Sequence, residues 1–285
     1  MAGSHGAKDK KRGRRAAGDV RRRKNAARIR VFRATVWKHY HEHGRHDLPW
    51  RKTKDPYKIL VSEAMLQQTQ VPRVIEKYKE FLNRFPAVQA LAKAPLSDVL
   101  KVWSGLGYNR RAKSLRDAAR EIVRIGNIKE ALAGLLPGVG PYTRAAVRVF
   151  AFNEPHTMLE TNIRAAFIHH FHKGPSFISD KELVPLVERA AGRQDPRTWH
   201  WALMDYGAHI KKLHNNPARR SSAYTKQSRF EGSLRQVRGA ILRELHKGPS
   251  LLKGLPFEKE RMEDALVRLV RDGLIVKEKG QWRIA

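Results

Sequence analysis

The stretch Leu136-Pro137-Gly138-Val139-Gly140-Pro141-Tyr142-Thr143 decides how the rest of this chain is interpreted. An apolar segment enters a Gly-x-Gly turn, and apolar residues at helical spacing begin directly after it. Glycine permits backbone torsions and close approaches that a Cβ atom forbids. The turn therefore directs backbone N–H groups outward at the positive end of a helix dipole, where an anion is favoured. The alternative is an ordinary joint between two helices with a proline in the first helical turn.

The charge of the chain indicates what that anion is. The 285 residues include 58 Lys and Arg against 27 Asp and Glu, a formal net charge of +31. Such an excess attracts polyanions and raises their encounter rate. Nucleic acid is the first candidate, through phosphate contacts and counterion release. An anionic membrane surface or ribosomal RNA would satisfy the same charge.

Composition excludes several other classes of protein. The chain has no cysteine, so it has no disulfide, no thiolate metal site and no cysteine nucleophile. No run approaches the roughly 18 apolar residues of a membrane helix, and the basic N-terminus lacks the apolar region of a secretory signal. We therefore expect a cytoplasmic monomer with no membrane partner, associated with the nucleoid if the source is prokaryotic.

Four segments differ in composition. Residues 1–28 predict a disordered basic arm that tethers DNA or only solubilises the chain. Residues 29–210 show helical patterns without strands and predict an all-α domain. Residues 211–229 are polar and basic and predict a linker. Residues 230–285 predict helix, turn, helix and β-hairpin, the order of a small α+β winged helix domain, which docks on DNA in many proteins and binds only protein in others.

One predicted helix carries a carboxylate on its apolar side. Asp55 is a favourable N-cap for a helix Tyr57–Gln68, in which Glu63 shares a face with Ile59 and Leu60. A carboxyl group among apolar neighbours tends to have a raised pKa. The alternative is a glutamate at the edge of the stripe that reaches solvent or pairs with a basic neighbour.

Two further stretches contain candidate functional residues. Gly105-Leu106-Gly107-Tyr108-Asn109-Arg110-Arg111 lies between the helical patterns Leu96–Trp103 and Ala112–Ile125. It places an aromatic ring beside two arginines, so it is suited to wedge into a duplex while its arginines hold phosphate. Glu160 stands where a helix cap is expected, but Glu is not a preferred cap. Thr161 or Asn162 could cap the helix instead, which would leave the Glu160 carboxylate available for a functional role.

Together these segments resemble the helix-hairpin-helix DNA glycosylases, and most closely the MutY-type adenine glycosylases. The resemblance covers roughly Leu48 to Ala208, and five motifs in the family's order carry it. They are Leu48-Pro49-Trp50-Arg51, Val61-Ser62-Glu63-Ala64-Met65-Leu66-Gln67-Gln68-Thr69-Gln70-Val71, Gly105-Leu106-Gly107-Tyr108, the Gly138–Gly140 hairpin and Met204-Asp205-Tyr206-Gly207-Ala208. The resemblance implies an all-α fold of two helical lobes, followed here by the winged helix domain.

The resemblance also implies a chemistry. The family flips its target base out of the duplex into a pocket. Glu63 is then the general acid that protonates the departing purine. The oxocarbenium-like sugar left behind needs a nearby negative charge. The family's residue for that role is an Asp, which Glu160 replaces here, and its extra methylene moves the charge by about 1.5 Å.

Further roles follow from the matching positions. The candidate catalytic residues are Glu63, Glu160, Tyr142 and Asn162, and the candidate base-pocket residues are Trp50, Arg51 and Leu66. The candidate DNA contacts are Gln68, Thr69, Tyr108, Arg110, Gly138, Val139, Gly140 and Thr143. Among these, Gln68 and Tyr108 fill the base stack and wedge the helix, and the hairpin amides hold a backbone phosphate. Members with lyase activity carry a Schiff-base lysine where this chain has Tyr142. We therefore expect a monofunctional hydrolytic enzyme in which Tyr142 hydrogen-bonds Glu160.

Two other departures concern the cofactor and the substrate. The family's iron–sulfur cluster is held by four cysteines, none of which is present, so we predict no cluster, no other cofactor and no metal. The C-terminal domain that reads 8-oxoguanine is replaced by the winged helix domain. The sequence thus predicts a base excision repair glycosylase acting on double-stranded DNA, with adenine opposite guanine or 8-oxoguanine as the favoured target. The alternatives are a glycosylase for uracil or thymine opposite guanine, and a non-catalytic DNA-binding protein on a glycosylase scaffold.

Overall fold

The computed structural model describes residues 25–227 and 229–285, which fold into two compact units. The first unit comprises residues 25–46 and 157–224, and the second comprises residues 47–156 and 225–285. Residues 1–24 of the predicted basic arm lie outside the described residues. Residues 25–28 are helical, so the prediction of disorder is wrong for this part of the arm. They continue a helix, α1 (25–43), whose apolar side is buried through Ile29 and Phe32.

The first unit is a helical layer around an aromatic core. Its other elements are α9 (Thr161–Phe171), α10 (Asp180–Ala191), α11 (Pro196–Leu213) and a 3-10 turn (Pro217–Arg220). The ring of Phe32 lies 4.8 Å from the ring of Phe167 and 6.4 Å from that of Trp199. These edge-on and tilted contacts are favourable for aromatic pairs. They fix α1 against both α9 and α11.

Gly207 allows α9 and α11 to approach closely. A Cβ atom added there would stand 2.9 Å from the Cα of Asn162 and closer still to its carbonyl group. The neighbouring Asp205 is buried and receives hydrogen bonds from the backbone N–H of Arg45 (2.8 Å) and from its guanidinium (2.6 Å). The motif Met204–Ala208 therefore packs the start of α9, which begins directly after Glu160.

The second unit contains seven helices and the C-terminal segment. The helices are α2 (Pro56–Leu66), α3 (Val71–Arg84), α4 (Val88–Lys93), α5 (Leu96–Trp103), α6 (Arg110–Ile125), α7 (Ile128–Ala131) and α8 (Pro141–Phe152). The carboxylate of Asp55 caps α2 by accepting from the backbone N–H groups of Tyr57 and Lys58. The helix ends at Leu66, two residues before the predicted end, because Gln68 adopts a left-handed backbone conformation (φ 57°).

The C-terminal segment consists of two helices and a small antiparallel sheet. Its elements are α12 (Leu234–Leu245), α13 (Lys259–Arg271), β1 (Ile275–Glu278) and β2 (Gln281–Ile284). Lys279 and Gly280 both have positive φ, as in the type I′ turns that match strand twist. The backbone of Ser250 also pairs with that of Trp282 through two 2.9 Å hydrogen bonds. Within the described part of the chain, no helix is long and apolar enough to cross a bilayer.

The packing around Gly207 makes a prediction for stability. Replacing Gly207 with Ala should lower the free energy of unfolding by about 1–3 kcal/mol, because the added methyl group overlaps the backbone of Asn162. Gly239 in α12 is the matched control, since a Cβ there meets only the end of the flexible Arg243 side chain at 3.6 Å. The change Gly239→Ala should stabilise α12 by about 0.5–1 kcal/mol.

Thermal unfolding of both variants checks this prediction. The melting temperature should fall for Gly207→Ala and stay unchanged or rise for Gly239→Ala. Equal effects of the two substitutions would contradict the proposed close approach of α9 and α11.

Candidate functional site

The Gly138–Gly140 hairpin is held by one internal hydrogen bond and leaves two amides facing outward. The Val139 N–H donates to the carbonyl of Leu136 at 3.1 Å, and the Val139 side chain is buried. Gly138 has φ 70°, and a Cβ there would stand 2.5 Å from the Cβ of Ser114. The N–H groups of Gly138 and Gly140 donate to no acceptor within the described residues. These two amides, and not that of Val139, are therefore available to an anion.

Helix α8 starts at this hairpin and is anchored to α2. Gly140 is the N-cap residue and supplies no side chain to the first-turn amides. Tyr142 is half-buried in that first turn, whereas Thr143 is buried and its hydroxyl accepts a 3.2 Å hydrogen bond from the amide of Gln67. Thr143 thus connects α8 to the end of α2. The DNA contact predicted for it remains a prediction.

Glu63 is buried in α2, with only 6% of its surface exposed. Eight of the eleven residues of α2 are buried, which is typical of a helix surrounded by packing on most sides. The alternative of a solvent-facing carboxylate at the edge of the apolar stripe is therefore wrong. Trp50 is also buried, with its ring 5.6 Å from that of Tyr78. Arg51 and Leu66, the other predicted base-pocket residues, are half-buried.

Arg111 connects the end of α2 to the Gly105–Tyr108 bend. Its guanidinium donates to the carbonyls of Ala64, Met65, Gln67, Leu106 and Gly107 and to the hydroxyl of Thr69. The prediction that this arginine holds phosphate is wrong, because carbonyls occupy its donors. Burial lowers the pKa of Arg111 to about 10, so it remains charged at neutral pH. Arg110 keeps an exposed side chain, 3.9 Å from Asp272.

The two residues predicted to enter the base stack share an unusual backbone conformation. Gln68 has φ 57° and Tyr108 has φ 48°. A left-handed conformation costs a non-glycine residue about 1–3 kcal/mol and persists only where the surroundings enforce it. The Arg111 hydrogen bonds supply that constraint on both segments. Gln68 is exposed at the tip of its turn, and Tyr108 is half-buried.

Glu160 caps α9 with its own side chain. Its extended backbone (φ −120°, ψ 175°) lets the carboxylate turn back and accept from the N–H of Ile163 at 2.8 Å. The second carboxylate oxygen accepts from the side-chain amide of Asn162 at 3.1 Å. The expectation that Thr161 or Asn162 caps the helix is wrong. An anion at the positive end of the helix dipole compensates for the weak intrinsic preference of Glu at this position.

Opposing effects act on the pKa of Glu160, and burial is the largest. Burial raises this pKa above the ordinary value, while the hydrogen bonds from Asn162 and Ile163 and the positive charges of Lys211 and Arg164 lower it. The Lys211 ammonium donates to the Asn162 side-chain carbonyl at 3.1 Å, so the amide is held between cation and carboxylate. Glu160 is therefore a carboxyl group whose negative charge is only partly compensated.

Two contacts to Tyr108 have no counterpart in the sequence pattern. The side-chain amide of Gln227 donates to the Tyr108 hydroxyl at 3.0 Å, and the guanidinium of Arg235 donates to it at 2.8 Å. Arg235 also lies over the Tyr108 ring, 5.4 Å from its centroid. The pairs are separated by 119 and 127 residues. No local motif or periodicity indicates contacts at such separations.

The segment after α11 does not fit an iron–sulfur cluster, because it contains no thiolate donor. Arg220 fixes this segment by donating to the carbonyls of His172 (2.9 Å) and Ser176 (3.2 Å). Ile178 pairs with the same segment, since its N–H donates to the Arg220 carbonyl at 2.8 Å. Nor do three or more His, Asp or Glu residues come together to hold a metal ion among the residues described.

Comparison with known proteins identifies relatives of this chain. The family model of the HhH-GPD superfamily base excision DNA repair protein matches residues 61–190. The adenine DNA glycosylase of Mycobacterium tuberculosis strain H37Rv is 33% identical over 236 residues, which are 71% of this chain and 75% of the relative. That of Buchnera aphidicola subsp. Baizongia pistaciae is 37% identical over 193 residues, 66% of this chain and 54% of the relative.

The share of each relative that this chain covers differs, and one similar solved structure has a different name. The chain spans 54% of the Buchnera relative and only 39% of the adenine DNA glycosylase of Rattus norvegicus. A solved thermostable thymine-DNA glycosylase is 29% identical and superposes with a TM-score of 0.56. This similarity covers 64% of this chain and 87% of the other.

The surroundings of Glu160 predict how its pKa responds to substitution. Removing the charge of Lys211 with Lys211→Met should raise the pKa of Glu160 further, because the ammonium stabilises the carboxylate. The neighbouring Lys212 is exposed and serves as the charge-matched control. NMR titration of the Glu160 carboxyl carbon should show a higher midpoint in Lys211→Met than in Lys212→Met. Identical midpoints would exclude an influence of Lys211.

Proposed function

Because this chain belongs to the HhH-GPD superfamily of base excision DNA repair proteins, we propose that it is a monofunctional DNA N-glycosylase. The observation that carries the proposal is Glu63, a carboxyl group buried in α2 within the family motif. The substrate is double-stranded DNA with a mispaired base, which the enzyme flips out and hydrolyses from its sugar. We place the monomeric protein in the compartment that contains DNA, the cytoplasm or the prokaryotic nucleoid.

Glu63 supplies the proton in this reaction. A carboxyl group away from water gains little solvation on ionising, which is the general reason why a buried carboxyl group is suited to hold a proton for transfer. Transfer of the proton to a ring nitrogen lets the base leave with the electron pair of the glycosidic bond as a neutral molecule. Water then adds to the sugar carbon and loses a proton, which leaves an abasic deoxyribose. Tyr142 offers no amine for a Schiff base, so the strand is not cleaved.

Glu160 stabilises the positive charge that develops on the sugar. Burial disfavours the negative charge on Glu160 and raises its pKa, although the hydrogen bonds and the nearby positive charges act in the opposite direction. A cationic sugar would add the missing positive partner, and it exists only while the glycosidic bond breaks. The interaction is therefore stronger in the transition state than in the ground state, which is the requirement for catalysis. Asn162 orients the carboxylate through its 3.1 Å hydrogen bond.

The hairpin holds the DNA, and the two residues with left-handed backbone conformation, Gln68 and Tyr108, open the base stack. The outward N–H groups of Gly138 and Gly140 hold a phosphate at the start of α8. Gln68 and Tyr108 enter the base stack, with Thr69 and Arg110 beside them. Trp50, Arg51 and Leu66 line the base pocket. The C-terminal segment forms a winged helix domain, in which the pairing of Ser250 with Trp282 extends the two-stranded sheet.

Adenine is the favoured base, and thymine is the second candidate. The curated relatives described above are adenine DNA glycosylases, at 33% and 37% identity. A solved structure that is 29% identical to this chain is a thymine-DNA glycosylase. A general acid at Glu63 suits a purine, because protonation of a ring nitrogen assists its departure. A non-catalytic DNA-binding role is disfavoured, since such a role gives no reason to bury a carboxyl group in α2.

Replacement of the general acid tests the activity. The change Glu63→Gln should reduce the single-turnover rate of base release by about 100-fold or more, the usual contribution of general acid catalysis. Duplex affinity should stay within a few-fold, because the buried Glu63 is not among the proposed phosphate contacts. The substrates are duplexes with A opposite 8-oxoguanine, A opposite G, U opposite G and T opposite G, and alkaline cleavage reports which base leaves.

The four duplexes and the variant Glu160→Asp distinguish between the possible substrates and mechanisms. Release of adenine alone supports the favoured substrate, and release of thymine alone supports the second candidate. Glu160→Asp is the matched conservative change and should keep activity if the added methylene is tolerated. An unchanged rate in Glu63→Gln would contradict the assignment of Glu63, and no release from any duplex by the native protein would contradict the enzymatic proposal.

The phosphate site predicts a variant that folds but binds poorly. Gly140 has φ −74°, and an added Cβ meets no atom within 4 Å, so Gly140→Ala should keep the native melting temperature. The methyl group would stand beside the amide that we assign to phosphate, and duplex affinity should fall several-fold. Gly134→Ala, at the exposed end of the preceding turn, is the control. Unaltered affinity in Gly140→Ala would place the phosphate elsewhere.

A further inference from the structure

The second unit contains a groove whose lining includes more than the predicted DNA contacts. Its volume is about 1450 Å³. One side is lined by the hairpin, the end of α2 and the Gly105–Arg111 bend, which carry most of the proposed DNA contacts. The other side is lined by residues of α12 and by the C-terminal end of α13. The C-terminal segment therefore borders the same groove as the hairpin.

The charge of this groove is strongly positive. Eight arginines line it and Asp272 is the single acidic residue. The arginines are Arg73, Arg110, Arg111, Arg235, Arg238, Arg243, Arg268 and Arg271. Asp272 forms an ion pair with Arg238, with 2.6 Å between the guanidinium nitrogen and the carboxylate oxygen. Arg243 and Arg271 are exposed and belong to no ion pair within the described residues.

The α12 side also contacts the proposed wedge directly. Arg235 donates to the Tyr108 hydroxyl at 2.8 Å and lies over its ring. The two residues are 127 positions apart in the sequence but adjacent in the fold. Arg111 lies 5.4 Å from the centroid of the same ring. Tyr108 is thus held by one guanidinium from its own bend and by one from α12. Its orientation depends on the C-terminal segment.

We propose that α12 and the end of α13 form a second DNA-binding wall, and that Arg235 is a positioning residue for Tyr108. This proposal rests on the proposed function, because it assigns the groove to the duplex that the hairpin binds. Arg235 and Arg243 are eight residues apart, about 12 Å along a helix. That length spans several phosphates of one strand, which rise about 3.4 Å each. A DNA backbone therefore matches both the charge and the extent of this wall.

Charge removal on the wall tests the binding part. Arg243→Ala and Arg271→Ala should each weaken binding to an undamaged duplex and reduce the slope of log affinity against log salt by about 0.9, the value for one lost phosphate contact. Arg261→Ala is the matched control, since Arg261 is an exposed arginine of α13 that does not line the groove. Fluorescence anisotropy of a labelled duplex at several salt concentrations gives both quantities.

Arg235 is tested by a readout of base unstacking. A duplex with 2-aminopurine beside the mispair brightens when that base loses its neighbours. At saturating protein, Arg235→Ala should reduce the fluorescence increase at least about two-fold, whereas Arg261→Ala should leave it unchanged. Tyr108→Phe removes only the hydroxyl that Arg235 and Gln227 bind. If Arg235 acts through that hydroxyl, adding Arg235→Ala to Tyr108→Phe should cause a smaller further loss than Arg235→Ala causes alone.

These outcomes are independent of base release. An unchanged salt slope in both Arg243→Ala and Arg271→Ala would overturn the second wall. Tighter duplex binding in Arg235→Ala would also overturn it and would identify α12 as a cover over the wedge. If the native protein releases no base but the slopes fall as stated, the second wall stands while the enzymatic proposal fails.

Discussion

The hydrogen bonds of the half-buried Arg111 guanidinium are the interactions on which the second unit's candidate site depends. Helix α2 ends with carbonyls that have no helical partner, and a helix end buried without partners is unfavourable. Arg111 satisfies three of them and binds two more carbonyls in the bend that carries Tyr108. Since its planar fork offers five N–H donors in fixed directions, lysine is a poor substitute. The position of Glu63 and the position of Tyr108 are thereby coupled.

Local patterns predicted most of the helices, because caps and apolar spacing are properties of neighbouring residues. Asp55 caps α2, and α5 spans Leu96–Trp103 as its apolar spacing indicates. The same spacing leaves open whether Glu63 lies in the interior or at the edge of the apolar side, and the fold buries it. The role of Arg111 was not predictable, since an arginine beside an aromatic ring serves phosphate and carbonyl equally well. The contact between Arg235 and Tyr108 joins residues 127 positions apart, so only the tertiary fold brings it about.

The first unit shows how a glutamate is accommodated at the start of a helix. Glu160 turns back to accept from the Ile163 amide at 2.8 Å and becomes the cap of its own helix, as the shorter Asp195 does for α11. Neither the capping statistics of glutamate nor the family resemblance indicates this arrangement. The close packing of Gly207 on Asn162 fixes the start of that helix. The geometry of Glu160 therefore depends on a glycine in a different helix, more than forty positions later.

The left-handed backbone at Gln68 and Tyr108 sets two selective pressures against each other. Glycine would adopt either conformation without strain. At Tyr108 it would also remove the hydrogen bonds from Gln227 and Arg235. At the exposed Gln68 a gain in stability is accessible by a single substitution. That substitution would also delete the only part of the residue able to occupy space within a base stack. Laboratory evolution for heat resistance alone should therefore favour glycine at position 68, at the expense of the stacking role proposed for Gln68.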